Sequence, residues 1–380
     1  MKVTGAWIEA AHVQQVLALL EEGGHQALLV GGCVRNALLG QAVSDIDIST
    51  DATPERVMAL AGAAGLRAVP TGVEHGTVTV IAGHEPHEIT TFRRDVETFG
   101  RHAVVAFSDR IEEDAARRDF TMNALYARAD GQVLDPLGAG LADLSARHVR
   151  FVGHPEDRIR EDYLRILRFF RFTAWYGDPA EGPDPEGLDA CARHAEGIAG
   201  LSRERLGAEM RKMLAAPDPA PAVAAMQAAG VLGRVLPGAD ARALAPLVHL
   251  EGAATPDPIR RLAVLGGADV ADRLRLSRAE ARRLDQLQGA LQEDRPEVLG
   301  YRLGAADGAN AVLIRAALLG TEPPEGWQGA VARGAAALFP VSAADLMPAL
   351  SGPALGARLK ALEQAWIASG FRATRQELLS

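Results

Sequence analysis

The chain has 380 residues, 48% of them hydrophobic, which is enough to bury a sizeable core in about two to four structural units. Its formal net charge of −9 excludes a protein that coats nucleic acid by bulk positive charge, so any RNA contact must be local. Cys33 and Cys191 lie far apart and outside any CxxC spacing. This excludes a cysteine zinc site or a disulfide framework and predicts a reducing cytoplasm.

The N-terminal segment, residues 1–24, has an amphipathic helical pattern with charges inside it. A signal peptide would instead have a basic start, an apolar run and a small-residue cleavage site. We therefore expect neither a signal peptide nor a membrane span.

Helical and strand-like segments alternate up to roughly residue 150. VRNALLG predicts a short helix closed by Gly40, and TPERVMALAGAAG predicts a helix capped by Thr53. DIDIST, GTVTVIAG and HEITTF have the alternation of strands. The first part of the chain is therefore predicted to be a mixed sheet flanked by helices.

Beyond about Pro155 the pattern is helical almost to the end. PEDRIREDYLRILRFFRFTAWYG predicts one long helix, Ser202 is placed to cap the next, and Ser277 with Glu280 fits a capping box. Arginines are clustered between Arg158 and Arg171 and again between Arg273 and Arg283, and the second cluster is either an RNA contact or a solvated helix face.

Asp45 and Asp47 are the first candidates for chemistry. On a strand, residues at i and i+2 point to one face, so both carboxylates would lie together. Such a pair can hold Mg²⁺ for phosphoryl transfer. Taken alone, an Asp-x-Asp pair is as consistent with a turn or a helix start.

The segment GGCVRN, Gly31 to Asn36, precedes this pair. A glycine pair between a strand and a helix lets the backbone approach a phosphate, and Arg35 adds a cation. The alternative is a tight turn that binds no ligand, which explains the glycines but neither Arg35 nor the two aspartates.

Two charged segments complete the set. Arg117, Arg118 and Asp119 are predicted to open an element beside the cleft, where Arg118 can bind a triphosphate or simply belong to a surface run of ion pairs. Asp162 and Arg165 are predicted to share a helix face with Arg168 one turn on. They are either an intrahelical ion pair or a carboxylate and guanidinium that imitate the hydrogen-bonding edge of a base.

In order along the chain, LLVGGCVRNALLG, SDIDIST, HEITTFRRD, RRDFTMNALY, DPLGAGLADL and EDYLRILRFFRF resemble the tRNA nucleotidyltransferase and poly(A) polymerase family, in its bacterial class II branch. The resemblance is dense over roughly residues 25 to 175. It implies an α+β fold, with a polymerase-β-like nucleotidyltransferase head of mixed sheet and helices followed by an all-α neck, body and tail. The implied boundaries are 1–147 for the head, 148–214 for the neck and 215–380 for the body and tail.

The same resemblance implies template-independent addition of CCA to the 3′ end of tRNA from CTP and ATP, with Mg²⁺ as cofactor and no obligate protein partner. It implies that Asp45 and Asp47 bind the metal and that Glu88 is a third catalytic acid. The implied nucleotide-binding residues are Gly31, Gly32, Arg35, Arg118, Asp119, Asn123, Asp162, Arg165, Arg168 and Arg171. Among these, Asp162 and Arg165 would read the base.

Two features bear on this family pattern. The family has an aspartate where this chain has Asn36, and we expect the amide to preserve a hydrogen bond. The segment Asp95–Phe107 stands where the family has a flexible loop that switches addition from C to A, and its length favours full CCA addition.

Two other functions are open. The chain is alternatively a poly(A) polymerase or an enzyme of the same family that adds only A. A non-catalytic RNA-binding homologue is a further alternative, but such proteins generally lose the carboxylates that Asp45, Asp47 and Glu88 supply here.

Overall fold

The computed structural model of the protein describes residues 1–99 and 102–380, and within them no side chain between residues 95 and 105 is described. The chain divides into two compact units, one of residues 1–238 with 273–275 and one of residues 239–272 with 276–380. The predicted boundaries at 147 and 214 do not coincide with this division and stay predictions. In the described part of the chain, no helix is long and apolar enough to cross a membrane.

The first unit contains the strands. They are β1 (Leu28–Val30), β2 (Asp47–Thr50), β3 (Arg67–Gly72), β4 (Thr77–Ala82), β5 (Glu85–Thr91), β6 (Arg93–Phe99), β7 (His102–Phe107), β8 (Tyr126–Ala127) and β9 (Val133–Leu134). Seven of them form one sheet in the order β3-β4-β5-β2-β1-β8-β9. The pairing of β2 with β5 is parallel, whereas β1 pairs antiparallel with both β2 and β8. The predicted mixed sheet is confirmed.

Helices flank this sheet and continue beyond it in the first unit. They are α1 (Ala6–Glu9), α2 (Ala11–Glu22), α3 (Gly32–Leu38), α4 (Pro54–Ala63), α5 (Ile111–Ala116), α6 (Gly140–Ser145), α7 (Pro155–Glu161), α8 (Leu164–Tyr176), α9 (Pro185–Arg193), α10 (Arg203–Leu214), α11 (Ala220–Ala228) and α12 (Val231–Val235). The caps predicted for α4 and α10 are confirmed, because the Thr53 and Ser202 hydroxyls accept from backbone N–H groups.

The second unit is helical in its described residues. Its elements, in chain order, are α13 (Leu244–Glu251), α14 (Pro258–Leu265), α15 (Val270–Arg273, whose last residue belongs to the first unit), α16 (Arg278–Gly289), α17 (Pro296–Leu319), α18 (Trp327–Ala336), α19 (Gly352–Ala368) and α20 (Arg375–Leu379). The capping box of Ser277 and Glu280 at the start of α16 is present as predicted. The fold is thus α+β, with a mixed sheet in the first unit and helices beyond it.

The predicted long helix after Pro155 is wrong, because the chain breaks at Asp162. Asp162 has extended backbone angles, φ −154° and ψ 107°, which end α7 and separate it from α8. Its side chain accepts a hydrogen bond from the Leu164 N–H at 3.1 Å, and a side chain that bonds its own backbone in this way competes with helix formation. Both helices keep a period of 3.6 residues, so the pattern of apolar residues hides the break.

Four phenylalanine side chains pack α8 against earlier parts of the chain. We call Phe120, Phe151, Phe169 and Phe172 the aromatic cluster, and all four are buried. Ring centroids lie 4.9 Å apart for Phe120 and Phe151, and 5.0 Å apart for Phe120 and Phe172. Tilted pairs at these distances are favourable beyond the burial of their area. The cluster therefore holds α8 against the residues that follow α5.

The segment Asp95–Phe107, expected to correspond to a flexible loop, falls mostly on β6 and β7. These strands pair antiparallel, from Arg93 opposite Phe107 to Phe99 opposite His102. Residues 100 and 101 lie outside the described residues. The role of this segment in choosing between C and A stays a prediction.

Candidate active site

The Gly31 turn joins β1 to α3 as the sequence predicts. Gly31 has φ 71° and ψ −115°, angles that only glycine adopts without strain, and its position directly before α3 brings the chain into the helix. A Cβ at this position would lie 3.4 Å from Nη1 of Arg118 and 3.6 Å from the carbonyl oxygen of Asn123. Gly32 is the first residue of α3. The turn therefore leaves the backbone and the Arg118 guanidinium close together.

The candidate metal carboxylates lie at the sheet next to this turn. Asp47 begins β2, opposite Val30 of β1 on one side and opposite Glu88 of the parallel strand β5 on the other. Asp45 lies before the strand, so the prediction that both aspartates are strand residues on one face is wrong in detail. The hydroxyl of Ser44 donates to Asp45 at 3.2 Å.

Electrostatics link the three acids. The pKa of Asp47 is raised, first by removal of the carboxylate from water and then by the negative charges of Glu88 and Asp45, while Arg118 acts in the opposite direction. Yet in the described residues no three carboxylates, imidazoles or thiolates converge closely enough to enclose a metal ion by themselves. The acids form a loose negative cluster that is open to further ligands.

Arg118 is held between this cluster and the end of α5. Its Nη2 donates to Asp114 at 3.0 Å, and its Nε donates to the hydroxyl of Tyr126 at 3.1 Å. That hydroxyl donates in turn to Asp114 at 2.7 Å, and Nη2 also lies 3.4 Å from Oγ of Ser49 on β2. Burial lowers the pKa of Arg118, but Tyr126 and Asp114 outweigh it, so the guanidinium stays charged. A fixed cation beside Gly31 and Asp47 is suited to a phosphate chain.

The segment around Arg118 differs from its prediction. Arg117 caps the end of α5, so Arg117, Arg118 and Asp119 follow a helix and do not open one. A 3₁₀ turn, Thr121–Asn123, comes next. The apolar run FTMNALY is buried because it packs into the core, which is why its pattern resembled a new element.

Arg35 is buried, with 7% of its surface exposed. Its guanidinium donates to the side-chain oxygens of Asn36 at 2.8 Å and Asn123 at 2.5 Å, and to the Tyr176 hydroxyl at 2.8 Å. It also lies 4.1 Å from the centre of the Tyr176 ring. Burial lowers the pKa of Arg35, and the charge of Arg171 acts in the same direction. The expected hydrogen bond of Asn36 is confirmed, whereas the described contacts make Arg35 a connection between α3 and α8.

Asp119 is likewise buried and occupied. One carboxylate oxygen accepts from the Asn123 amide and from the Phe120 N–H, both at 2.9 Å. The other accepts from Nε of Arg168 at 2.6 Å and from its Nη2 at 2.5 Å. Burial raises the pKa of Asp119, but Arg168 and these hydrogen bonds hold it below its usual range. Asp119 therefore fixes Arg168, and any contact of Asp119 with a nucleotide stays a prediction.

The expected pair of Asp162 and Arg165 does not form. Asp162 accepts instead from Nη2 of Arg205 on α10 at 2.6 Å. Arg165 donates to Glu161 and to two backbone oxygens, those of Arg158 at 3.0 Å and Arg117 at 3.2 Å. Of the two sequence interpretations, the intrahelical ion pair is wrong. The reading of a base by these side chains stays a prediction.

Arg171 joins the same framework from α8. Its Nε donates to Glu209 of α10 at 2.5 Å, and Nη1 of Arg168 lies 4.0 Å from the same carboxylate. Glu209 is buried, with 6% of its surface exposed. Arg168 and Arg171 thus lie about one turn apart on α8, and both guanidinium groups lie near the Glu209 carboxylate.

Sequence reasoning missed the residues that hold the predicted ones. They are Ser49, Asp114, Tyr126, Tyr176, Arg205 and Glu209. Asp114 precedes Arg118 by four residues, a spacing that on a helix brings side chains together and that would have found it. Tyr126 lies eight residues beyond Arg118, and the others contact their partners from 38 to 141 residues away, where no local pattern predicts the contact.

Two family models match the chain. Residues 27–150 match the poly A polymerase head domain, and residues 183–242 match the model described as a probable RNA and SrmB-binding site of polymerase A. Over these two ranges the chain is similar to the poly A polymerase head domain and to the RNA-binding region that accompanies it. The first match contains the Gly31 turn, the three acids and Arg118, and the second contains Arg205 and Glu209.

Named relatives are similar to about half of the chain. The chain is 43% identical over 203 residues to human CCA tRNA nucleotidyltransferase 1, mitochondrial, and 42% identical over 201 residues to the CCA-adding enzyme of Bacillus subtilis. These matches cover 53% and 52% of the chain but only 46% and 49% of the relatives. The chain thus spans about half the length of the relatives it matches.

Solved structures of the family extend the likeness in fold. The CCA-adding enzyme of Bacillus stearothermophilus in complex with CTP is 29% identical, with a TM-score of 0.74 over 94% of this chain and 93% of its own. The Thermotoga maritima enzyme complexed with tRNA has a TM-score of 0.68 at 18% identity, covering 100% of this chain and 97% of its own. The second likeness concerns the fold alone.

Proposed function

We propose that the protein is a tRNA nucleotidyltransferase that adds CCA to the 3′ end of tRNA from CTP and ATP, without a nucleic-acid template, and releases pyrophosphate. The observation that carries this proposal is the pairing of Asp47 with Glu88 beside the Gly31 turn and Arg118. It brings acids and a phosphate-binding cation together at the start of β2. The similarity to enzymes named for CCA addition supports the choice of substrate.

The acids fit a magnesium ion. Their oxygens are the hard ligands that Mg²⁺ prefers, and the pKa of Asp47 is raised first by removal from water and then by the neighbouring negative charge of Glu88, which a divalent cation would offset. Mg²⁺ commonly takes one or two protein carboxylates and completes its ligands with water and substrate phosphates. Asp45 and Asp47 would hold it. Bound there, it would supply charge stabilisation for the attacking hydroxyl and the departing pyrophosphate.

The side chains of the protein bind the triphosphate and orient the base. Arg118, held by Asp114 and Tyr126, binds the triphosphate beside the open backbone of Gly31. Asp162 and Arg165 present acceptor and donor groups to the base. Arg168 and Arg171 remain fixed by Asp119 and Glu209, so the helix that carries them does not shift between additions. The RNA 3′-hydroxyl attacks the α-phosphorus, forming one P–O bond while the bond to pyrophosphate breaks.

Nucleotide incorporation tests this proposal directly. Purified protein is given tRNA ending before CCA, after the first C and after CC, with each nucleoside triphosphate separately. CTP should be incorporated on the first two and ATP on the third. Incorporation of ATP alone on all three would replace CCA addition by the family's A-adding or poly(A) activity.

The metal carboxylates are tested in the same assay. Asp45→Ala should abolish incorporation, whereas Asp130→Asn, on the exposed surface beside Lys2, should leave it unchanged. Undiminished incorporation by Asp45→Ala would refute the metal mechanism. We place the reaction in the cytoplasm, as the free cysteines Cys33 and Cys191 support.

A further inference from the structure

The break between α7 and α8 displays one carboxylate whose two oxygens have different partners. Oδ1 of Asp162 accepts from the Leu164 N–H at 3.1 Å, and Oδ2 accepts from Nη2 of Arg205 at 2.6 Å. The Asp162 side chain is 29% exposed and that of Arg205 is 30% exposed. The pair is therefore accessible on one side and supported by protein on the other.

The backbone of Arg205 is held in a capped helix. It lies in the first turn of α10, where its N–H donates to the capping hydroxyl of Ser202 at 3.4 Å. Four residues further along the same helix face, Glu209 accepts from Arg171. One face of α10 thus contacts α8 and the turn before it with a cation at Arg205 and an anion at Glu209.

The turn is confined from its other side by Gly197. A Cβ at Gly197 would lie 2.1 Å from the ring of Tyr163, the residue that follows Asp162. No side chain larger than hydrogen fits there without moving that ring. Tyr163 and Arg205 together leave the Asp162 carboxylate little freedom.

We propose that Arg205 is a positioning residue that selects the incoming base by holding Asp162 as a hydrogen-bond acceptor. An ionised carboxylate has about four acceptor sites and no donor. Cytosine and adenine carry an exocyclic amino donor at the edge where uracil and guanine carry a carbonyl oxygen. With two of its sites given to Leu164 and Arg205, the carboxylate keeps acceptor sites for that amino group. Opposite uracil or guanine, an oxygen of the Asp162 carboxylate would face the carbonyl oxygen of the base, and both of these atoms are acceptors.

This inference rests on the proposed function and adds to it. The charge of Arg205 fixes the orientation of the carboxylate and of its remaining acceptor sites, and so separates C and A from U and G without touching the nucleotide. Arg205 does not select between C and A, because both bases carry the amino group. The structure thus assigns discrimination against U and G to a residue distant in sequence from the base-reading turn.

Steady-state kinetics provide the test, with CTP compared with UTP on tRNA lacking CCA and ATP compared with GTP on tRNA ending in CC, each in a separate reaction. The variants are Arg205→Gln, which removes the charge, and Arg205→Lys, which retains it. Arg234→Gln is the matched control, because Arg234 pairs with Glu196 in the same unit at 57% and 83% exposure. Gly197→Ala disturbs the same turn from its other side.

For Arg205→Gln we expect KM for CTP to rise about tenfold or more, the loss typical of a charge-assisted hydrogen bond, with a smaller change in kcat. The preference for CTP over UTP in kcat/KM should fall by a similar factor. Arg205→Lys should recover part of both, Gly197→Ala should lose preference in the same direction, and Arg234→Gln should match the wild type. A merely structural role would lower kcat for every nucleotide alike and would leave the preference intact.

Two outcomes overturn the inference in distinguishable ways. If the wild type adds C and A but Arg205→Gln keeps its preference over U and G, Arg205 has no part in selection and the proposed function stands. If the wild type adds no nucleotide to any tRNA, the proposed function fails and the inference fails with it.

Discussion

Asp47 and Glu88 lie directly opposite each other in the parallel pair of β2 and β5, so two acidic residues are neighbours at the start of β2. The pKa of Asp47 is raised by removal from water and by this neighbour. Neighbouring like charges disfavour each other's ionised form. The pair stores repulsion that a cation relieves.

A divalent cation should therefore stabilise the protein through Asp47. In thermal unfolding without nucleotide, Mg²⁺ should raise the Tm of the wild type by mass action on the folded state and raise that of Asp47→Asn less. Without Mg²⁺, Asp47→Asn should melt at a slightly higher temperature, because the repulsion is gone. Asp130→Asn should behave as the wild type does, and an equal response of wild type and Asp47→Asn would place the cation elsewhere.

Gly31 and Gly40 form a matched pair of glycines for testing whether the Gly31 turn contacts the triphosphate. Both have positive φ, 71° and 65°, but a Cβ at Gly31 meets Arg118 whereas one at Gly40 meets open space. Each alanine variant should lose about 1 kcal/mol or more of unfolding free energy through backbone strain. Only Gly31→Ala should also raise KM for CTP and ATP. Equal KM values in the two variants would show that the Gly31 turn does not contact the triphosphate.

The pair of Asp119 and Arg168 should dominate stability among the site residues. The Asp119 side chain is 9% exposed, and its removal leaves the guanidinium without its main anion. Asp119→Asn should lower the free energy of unfolding by about 3 kcal/mol, as breaking a buried pair from one side does. Urea denaturation followed by circular dichroism measures this. A loss no larger than that of the exposed control Asp130→Asn would mean that Asn123 and the backbone alone hold the segment.

Asp114 predicts a dependence of stability on pH. Burial raises the pKa of Asp114, but Arg118, Arg117 and the hydroxyl of Tyr126 outweigh it and hold it below its usual value. Its contribution is therefore complete above the unfolded pKa of about 3.9 and is lost as pH falls through the lower folded value. The difference in unfolding free energy between wild type and Asp114→Asn should be constant from pH 5 to 7 and shrink below about pH 4. Asp109→Asn, exposed just before α5, is the control for the loss of a surface carboxylate.

The parts of the site that sequence could predict are those carried by local pattern. The alternation of DIDIST and HEITTF placed Asp47 and Glu88 on strands, and the glycine pair predicted the turn at Gly31. Asn36 was expected to keep a hydrogen bond, and its oxygen accepts from Arg35 at 2.8 Å. Each of these depends on neighbours in the chain.

The parts that sequence could not predict depend on distant residues or on a competing hydrogen bond. Asp162 ends α7 with its own side chain, which no count of apolar residues reveals. Arg205 reaches it from 43 residues away, and Tyr176 reaches Arg35 from 141 residues away. Such partners appear only once α8 and α10 are packed.

The aromatic cluster has a consequence for how the protein is made. Phe120 packs on Phe151, Phe169 and Phe172, so a fragment ending at residue 150 would expose that ring and leave Arg35 without Tyr176. We therefore expect the portion matched by the head family to need α8 to complete its core. During synthesis Phe120 can be covered by Phe169 and Phe172 only after α8 has left the exit tunnel, so we expect the nascent chain to expose this apolar face until then.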